Sequence, residues 1–499
     1  MQTHDLTSKK DIKWRKNVQY QTPPINWHVK DDTHSECKSP TFYFAKYFTE
    51  ELFTNMVEMT NLYAVQHNVK FVPTNVEELK TFVGIHIVMG NLHYPRTRFY
   101  WDRSLHIPII SENMAFNRFS KLRTNLHFVN TAEKSADNND RFWKVRPLYN
   151  QIRKRCQELP LETELCIDEQ MIPFKGKLNV KQYVKGKPCP WGIKLFALCG
   201  RTGVLYDFLL YQGSTTELEE QFLDVFGLAA SVVIKLCQRI TIPNVQLYYD
   251  NYFSNYNLLQ WLQNRNIYTS GTARIDRFNK PPFSSYKDMK REGRGSSEEI
   301  ISQDGQVVMT KWFDNKPVIM ASNCMSIGEK DQCQRWDKIA KEYKDVSRPE
   351  VIKCYNKNMG GVDKLDYLIT LYRTFIRSKK WTLRMFTHAI DICCCNAWLE
   401  YKEVASKTLP KKEILDLIHF RAYVAESLIY ANKTPKKRGR PSLSQSMSPT
   451  SSPRPSSSLS SRDSLQHTLP PKKIVKKEHV PVIEVRQDNI GHLPDMDQK

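Results

Sequence analysis

Two apolar runs that each end in an aspartate constrain this chain more than any other feature. Leu165-Cys-Ile leads into Asp168, and Val245-Gln-Leu-Tyr-Tyr leads into Asp250. Short apolar runs read as buried strands, and in mixed sheets with helical crossovers ligand-binding groups gather at strand ends. Between them, Lys194-Leu-Phe-Ala-Leu-Cys199 and Val204-Leu-Tyr-Asp-Phe-Leu-Leu-Tyr211 flank the turn Gly200-Arg-Thr-Gly203, which predicts a hairpin. A helical pattern over 217–238 follows, and a helix over 258–263 and a strand over 267–270 come after Asp250. The order strand, hairpin, helix, strand, helix predicts an α/β fold with Asp168 and Asp250 near one rim of a mixed sheet. Asp207, in mid-hairpin, reads as an outward-facing polar residue.

Two more carboxylates sit in Gly360-Gly-Val-Asp-Lys-Leu-Asp366. A spacing of three places Asp363 and Asp366 on one helical face, within reach of a common ion. Carboxylate oxygens are hard ligands suited to divalent cations. The chain carries 74 Lys and Arg against 53 Asp and Glu, a net charge of +21, which points to an anionic partner. An aromatic content of 11% favours nucleic acid over an acidic membrane. No apolar run reaches the roughly 18 residues a membrane helix needs, and Met1 to Lys30 is polar. A soluble, intracellular protein with no membrane partner is expected. The 12 cysteines contain no Cys-x-x-Cys pair and include the run Cys393-Cys394-Cys395, whose side chains on a helix diverge by about 100° per residue. Reduced, buried thiols are expected rather than a metal site.

Composition divides the chain. Residues 1–39 read as a flexible N-terminal segment and 40–160 as a helical domain, with helices over 44–56 and 74–89, Thr49 as a helix cap and His86 as a core histidine. Residues 161–274 form the first part of the α/β core. Residues 275–350 form a β-rich insertion with hairpins around Asp304-Gly305 and Asp314-Asn315, and 351–431 bring the rest of the core and C-terminal helices. The remainder, 432–499, reads as a disordered basic tail, because 12 serines and interspersed prolines between Ser442 and Ser464 cannot bury a core.

Three segments, Ile167-Asp-Glu-Gln-Met-Ile-Pro-Phe-Lys-Gly176, Tyr249-Asp-Asn-Tyr-Phe253 and Tyr355-Asn-Lys-x-x-Gly-Gly-Val-Asp-x-x-Asp366, closely resemble the catalytic blocks of piggyBac transposases and the host proteins derived from them. The resemblance runs in order from about Ser39 to Tyr430. It implies an RNase H-like core split by a β-rich insertion, behind a helical region for dimerisation and DNA binding. It also implies a homodimer acting on double-stranded DNA, at transposon ends and TTAA targets. Carried over by position, Asp168, Asp250 and Asp363 match the catalytic aspartates and Asp366 the nearby fourth acid, together holding two Mg²⁺ ions. The implied reaction is cut-and-paste transposition: a nick frees a 3′-hydroxyl, the hydroxyl attacks the opposite strand to form a hairpin, and the reopened end joins a target. Arg274 and Arg277 resemble DNA-contacting positions. Between Tyr372 and Thr382, Arg373, Arg377, Lys379 and Lys380 interleave with aromatics including Trp381, a pattern suited to phosphates and an unpaired base, although Trp381 is equally readable as core.

In the tail, Pro435-Lys-Lys-Arg-Gly-Arg-Pro441 resembles an AT-hook, with Lys436, Lys437, Arg438 and Arg440 placed for an A·T minor groove; the same cluster suits nuclear import. A nuclear protein is expected. The family's Cys-rich, zinc-binding terminus has no counterpart here, since no cysteine follows Cys395, and no zinc site is expected. Two functions therefore stand: a metal-dependent DNA transposase, and a domesticated nuclear DNA-binding or transcriptional regulatory protein that does not transpose.

Overall fold

In the computed structural model, residues 7–29, 36–338, 340–374 and 377–431 are described. Lys436, Lys437, Arg438 and Arg440 lie outside them. In chain order the elements are β1 (Trp14–Arg15), α1 (Pro40–Ala45), α2 (Glu50–Gln66), α3 (Val76–Asn91), α4 (Pro108–Ser111), α5 (Phe116–Asn125) and α6 (Arg146–Glu158). Next come β2 (Glu164–Pro173), β3 (Gln182–Tyr183), β4 (Trp191–Gly200), β5 (Leu205–Leu210), α7 (Glu220–Cys237), β6 (Val245–Tyr249), α8 (Tyr256–Gln263) and β7 (Ile267–Thr272). The chain continues through α9 (Tyr286–Glu292), β8 (Ser297–Ser302), β9 (Val308–Phe313), β10 (Pro317–Ser322), β11 (Asp331–Asp337) and β12 (Glu342–Arg348), and ends with α10 (Glu350–Asn358), α11 (Gly361–Leu371), α12 (Trp381–Thr408) and α13 (Leu417–Tyr430).

Local chemistry starts these elements where the sequence signals them. The Thr49 hydroxyl accepts from the Leu52 amide at the start of α2, and Asn75 accepts from Glu78 at the start of α3. The turn between β4 and β5 closes at Gly203, whose φ of +99° lies in the region glycine adopts without strain. The hairpins at Asp304-Gly305 and Asp314-Asn315 join β8 to β9 and β9 to β10.

The sheet runs β1-β8-β9-β10-β7-β6-β2-β4-β3, with β5 also paired to β4. Within it β4 is antiparallel to both β5 and β2, while β6 and β7 run parallel to β2. The spatial order β5-β4-β2-β6-β7 is that of an RNase H-like core, and β10 extends it by pairing with β7. β11 and β12 form a separate hairpin.

Helices α3, α12 and α13 share one apolar core with the sheet. The centres of α3 and α12 are buried on all sides, as a helix enclosed by others requires. His86 is fully buried, with Nδ1 2.8 Å from the Phe82 carbonyl oxygen and its ring against Phe82, Phe119 and Phe386. Burial pushes its imidazole down to about 3, so it is neutral. Cys393, Cys394 and Cys395 are buried reduced thiols. Among the described residues no helix is long and apolar enough to cross a membrane.

One expectation is corrected. Asp207 does not face outward: it is buried, because α6 covers that face of β5. Arg153 Nε and Nη2 donate to its carboxylate at 2.5 and 3.1 Å, and Gln157 Nε2 donates at 3.0 Å. Alternation predicts an exposed face only where nothing packs on it.

Candidate active site

The parallel pairing of β2 with β6 sets Ile167 opposite Tyr249, so the next residue on each strand, Asp168 and Asp250, falls at the same level. Neighbouring strands lie about 4.8 Å apart, which brings the two carboxylates beside each other. β6 ends at Tyr249 and the chain turns at once: Asp250 Oδ1 accepts from the Tyr252 amide at 2.8 Å. Asp168 Oδ1 accepts from the Glu169 amide at 2.7 Å.

The third side is supplied by α11. Gly361 sits so close to the sheet that a Cβ there would lie 2.3 Å from the Gly200 carbonyl oxygen and 2.7 Å from Cys166 Sγ. This contact seats the start of α11 against β2 and β4 and delivers Asp366 to β2, where Gln170 Nε2 donates to Asp366 Oδ1 at 2.9 Å. Gln170 Oε1 in turn lies 3.1 Å from His388 Nε2 of α12, so Gln170 links helix to helix through the strand. Burial holds His388 well below its usual range; the neutral ring donates to Gln170 through Nε2. Asp363, one turn earlier, is exposed.

Burial is also the main cause of the carboxyl shifts. It pushes Asp168 up to about 7, with Lys187 opposing and Glu169 and Asp250 adding to the rise. Burial raises Asp250 and Asp366 as well, the latter opposed chiefly by Arg373. Two lysines enter the cluster. Lys187 Nζ donates to the Glu169 carbonyl oxygen at 3.2 Å and feels the charges of Asp168, Glu169, Asp363 and Asp366. Lys194 Nζ lies 3.8 Å from Glu169 Oε2 and rests over the rings of Phe196 and Tyr252.

The donor set suits a divalent cation: oxygen ligands only, three of the four carboxylates half-buried and each of those three with one oxygen tied by a protein N–H. Yet among the described residues no three carboxylate, imidazole or thiol groups converge into a closed ligand set.

The basic residues read from the sequence have several placements. Arg277 Nη1 donates to the carbonyls of Asn251, Tyr252 and Ser254 at 3.0, 2.7 and 3.2 Å, so this guanidinium shapes the loop that follows Asp250. Arg274 Nε donates to Asn251 Oδ1 at 2.9 Å. Arg373 Nη2 donates to Thr370 Oγ1 at 3.0 Å and is close enough to Asp366 to oppose its rise. Arg377 and Lys380 are fastened to the helical region: the Arg377 carbonyl accepts from Arg123, and Lys380 Nζ donates to the Thr124 carbonyl. Lys379 is exposed, and Trp381 is half-buried, edge-on to Phe142 at 5.9 Å. Sequence reading missed Gln170, Lys187 and Lys194. The period of two along β2, which sets Asp168 and Gln170 on one face, is the signal that would have found the first.

This geometry has counterparts in known proteins. A family profile described as Transposase IS4 matches residues 39–398. The human PiggyBac transposable element-derived protein 3 is 30% identical over 443 residues, 86% of this chain and 72% of that protein. The human PiggyBac transposable element-derived protein 2 is 31% identical over 430 residues, covering 83% of this chain and 70% of that protein. Among solved structures, a piggyBac transposase synaptic complex with hairpin DNA aligns with a TM-score of 0.66 and 22% identity over 80% of this chain and 83% of that chain, a likeness of fold. The chain belongs to the piggyBac family of transposases and transposable element-derived proteins.

Proposed function

We propose that this chain binds double-stranded DNA and cleaves and rejoins it at the cluster formed by Asp168, Asp250, Asp363 and Asp366. The observation that carries the reading is the meeting of Asp168 and Asp250 at one level of β2 and β6 with Asp366 delivered to β2 through Gln170. These carboxylates would hold a pair of divalent cations, Mg²⁺ in the first instance. When bound, such a pair activates a water or 3′-hydroxyl and stabilises the leaving oxygen. The chain's own part is positional. The Glu169 and Tyr252 amides and the Gln170 side chain fix one oxygen of Asp168, Asp250 and Asp366 respectively, so ligand placement costs little reorganisation. Arg277 fixes the loop after Asp250, and Arg274 and Arg373, whose charges bear on Asp250 and Asp366, would take phosphates. A homodimer acting in the nucleus at TTAA sites is the form this reading takes.

The test is incubation of the full chain with Mg²⁺ and an end-labelled duplex carrying a related element's end and a TTAA flank. Hairpin products that vanish in Asp250→Asn are expected. Intact binding with no cleavage in Mg²⁺ or Mn²⁺ overturns the enzymatic part.

A second reading, a domesticated DNA-binding or regulatory protein without transposition, is favoured by Lys187, which reaches the Glu169 carbonyl and whose charge already bears on Asp168, Asp363 and Asp366. It predicts duplex binding unaffected by Asp250→Asn and no cleavage by either form.

A further inference from the structure

The segment from the end of β2 to the first residue of β4, residues 174–191 with β3 inside it, carries five lysines (Lys175, Lys177, Lys181, Lys185 and Lys187) and no acidic residue. Two aromatic side chains stand out of it: Tyr183 is 56% exposed and Trp191 45%. Their rings pack against one another, centroids 4.9 Å apart at 50°, and Lys181 Nζ lies 5.1 Å from the Trp191 ring while donating to the Gly176 carbonyl at 3.1 Å. Lys175, Lys177 and Lys185, on the same segment, are exposed. One contact ties this surface to the acidic cluster: Lys187 reaches back to the Glu169 carbonyl. Gly192, next to Trp191, pairs with Pro173, five residues along β2 from Asp168, a separation of roughly 17 Å at about 3.3 Å per residue.

An exposed pair of rings does not by itself mark a site, and a comparison within the chain shows what sets this one apart. The β11–β12 hairpin exposes a similar pair, Trp336 and Tyr343, centroids 5.1 Å apart. Its 18 residues, 331–348, carry five basic and four acidic side chains, so they offer no field for an anion. The 174–191 segment combines stacking faces with unopposed positive charge, which is the pattern that holds a nucleic-acid strand by its phosphates and stacks its bases. A base inside a duplex has no free face, so the ligand is unpaired.

We infer that Tyr183 and Trp191, with Lys175, Lys177, Lys181 and Lys185, form a docking platform for an unpaired DNA strand leading to or from the acidic cluster. The inference rests on the DNA-processing reading above and adds to it the site that receives single-stranded DNA.

The experiment measures binding of the full chain to a fluorescently labelled single-stranded oligonucleotide and to the duplex of the same sequence, by anisotropy at about 100 mM salt. Tyr183→Ala with Trp191→Ala is expected to weaken single-strand binding by about 10-fold, equivalent to about 1.4 kcal/mol, and to change duplex binding by less than about 2-fold. Trp336→Ala with Tyr343→Ala is expected to change neither. Replacing Lys175, Lys177 and Lys185 with Gln should lower the salt slope of single-strand binding by about 2. Because the altered side chains are exposed, urea midpoints should match the wild type, and a shifted midpoint moves the measurement to Tyr183→Phe with Trp191→Phe, which should retain binding. Wild-type binding to duplex but not to single strand, equal losses from both aromatic pairs, or no loss from Tyr183→Ala with Trp191→Ala overturns the platform alone. Failure of the wild type to bind either DNA overturns the DNA reading together with it.

Discussion

The adjacent glycines at the start of α11 give the sharpest prediction. Gly361 packs on backbone: its missing Cβ would sit 2.3 Å from the Gly200 carbonyl oxygen, where ordinary contact begins at 3.4 Å. Neither partner is a flexible side-chain end, so Gly361→Ala is relieved only if the start of α11 retreats from the sheet by about 1 Å. Overpacking of this kind costs about 1–3 kcal/mol, and the better helix propensity of alanine returns less than about 1 kcal/mol at a first-turn position. A net loss of about 1–2 kcal/mol is expected.

The retreat also carries Asp363 and Asp366 with it and stretches the 2.9 Å Gln170–Asp366 bond. Misplacement of reacting groups by about 1 Å costs on the order of 100-fold in rate. Gly360→Ala is the matched control: its backbone, at φ −77° and ψ 13°, suits any residue, and nothing lies within 4 Å of the added carbon. It should be neutral or slightly stabilising. Urea denaturation followed by tryptophan fluorescence reads the stability arm, and Mn²⁺ uptake and cleavage of labelled duplex read the positional arm. Equal behaviour of the two variants, or a Gly361→Ala protein within about 0.5 kcal/mol of wild type, would refute the reasoning.

Three further predictions follow from burial and charge. The His86 imidazole, pushed down to about 3 from 6.5 by burial, cannot take up a proton in the folded chain, whereas the unfolded chain protonates below 6.5. Stability from this residue is therefore complete above that pH and falls by about 1.4 kcal/mol per unit below it; His388, lowered for the same reason, adds a similar slope. Urea midpoints from pH 7 to pH 5 should show this, and His86→Phe should flatten part of the slope. The Arg421–Asp391 pair joins α13 to α12 at 3.2 Å with both side chains fully buried, so Arg421→Met should cost about 3–5 kcal/mol and adding Asp391→Asn should restore much of it, read by the same denaturation series. Lys187→Ala should lower the thermal midpoint of the metal-free protein and enlarge the upward shift on adding Mn²⁺, because the carboxylates lose their resident cation; an unchanged Mn²⁺ response would remove Lys187 from the cluster's charge balance.

What the sequence disclosed was what local pattern controls. The strands β2 and β6, the β4–β5 turn, the Thr49 cap and the helical spacing of Asp363 and Asp366 each depend on neighbours within a few residues. What it hid depends on which faces meet. Asp207 was misread because the side chain that neutralises it, Arg153, lies 54 residues away on a helix laid over β5. The Gln170–His388 contact spans 218 residues, and no periodicity in either segment announces it. The basic 174–191 segment was passed over because lysines between strands usually signify a solvated turn. Its meaning appears only when Lys187 is seen to reach back from it to the Glu169 carbonyl beside Asp168.

The same division explains where this site is vulnerable. Asp168 and Asp250 are set by hydrogen-bond register, which cannot drift by a fraction of a residue; a slip would reverse the face of every side chain on the strand. Asp363 and Asp366 are set by side-on docking of a helix whose distance from the sheet is continuous, limited by the glycine contact and by Gln170. Asp250 adds to the rise of Asp168 and Asp363 to that of Asp366, and the charge of Lys187 opposes both. A divalent cation would do so more strongly and would draw α11 inward.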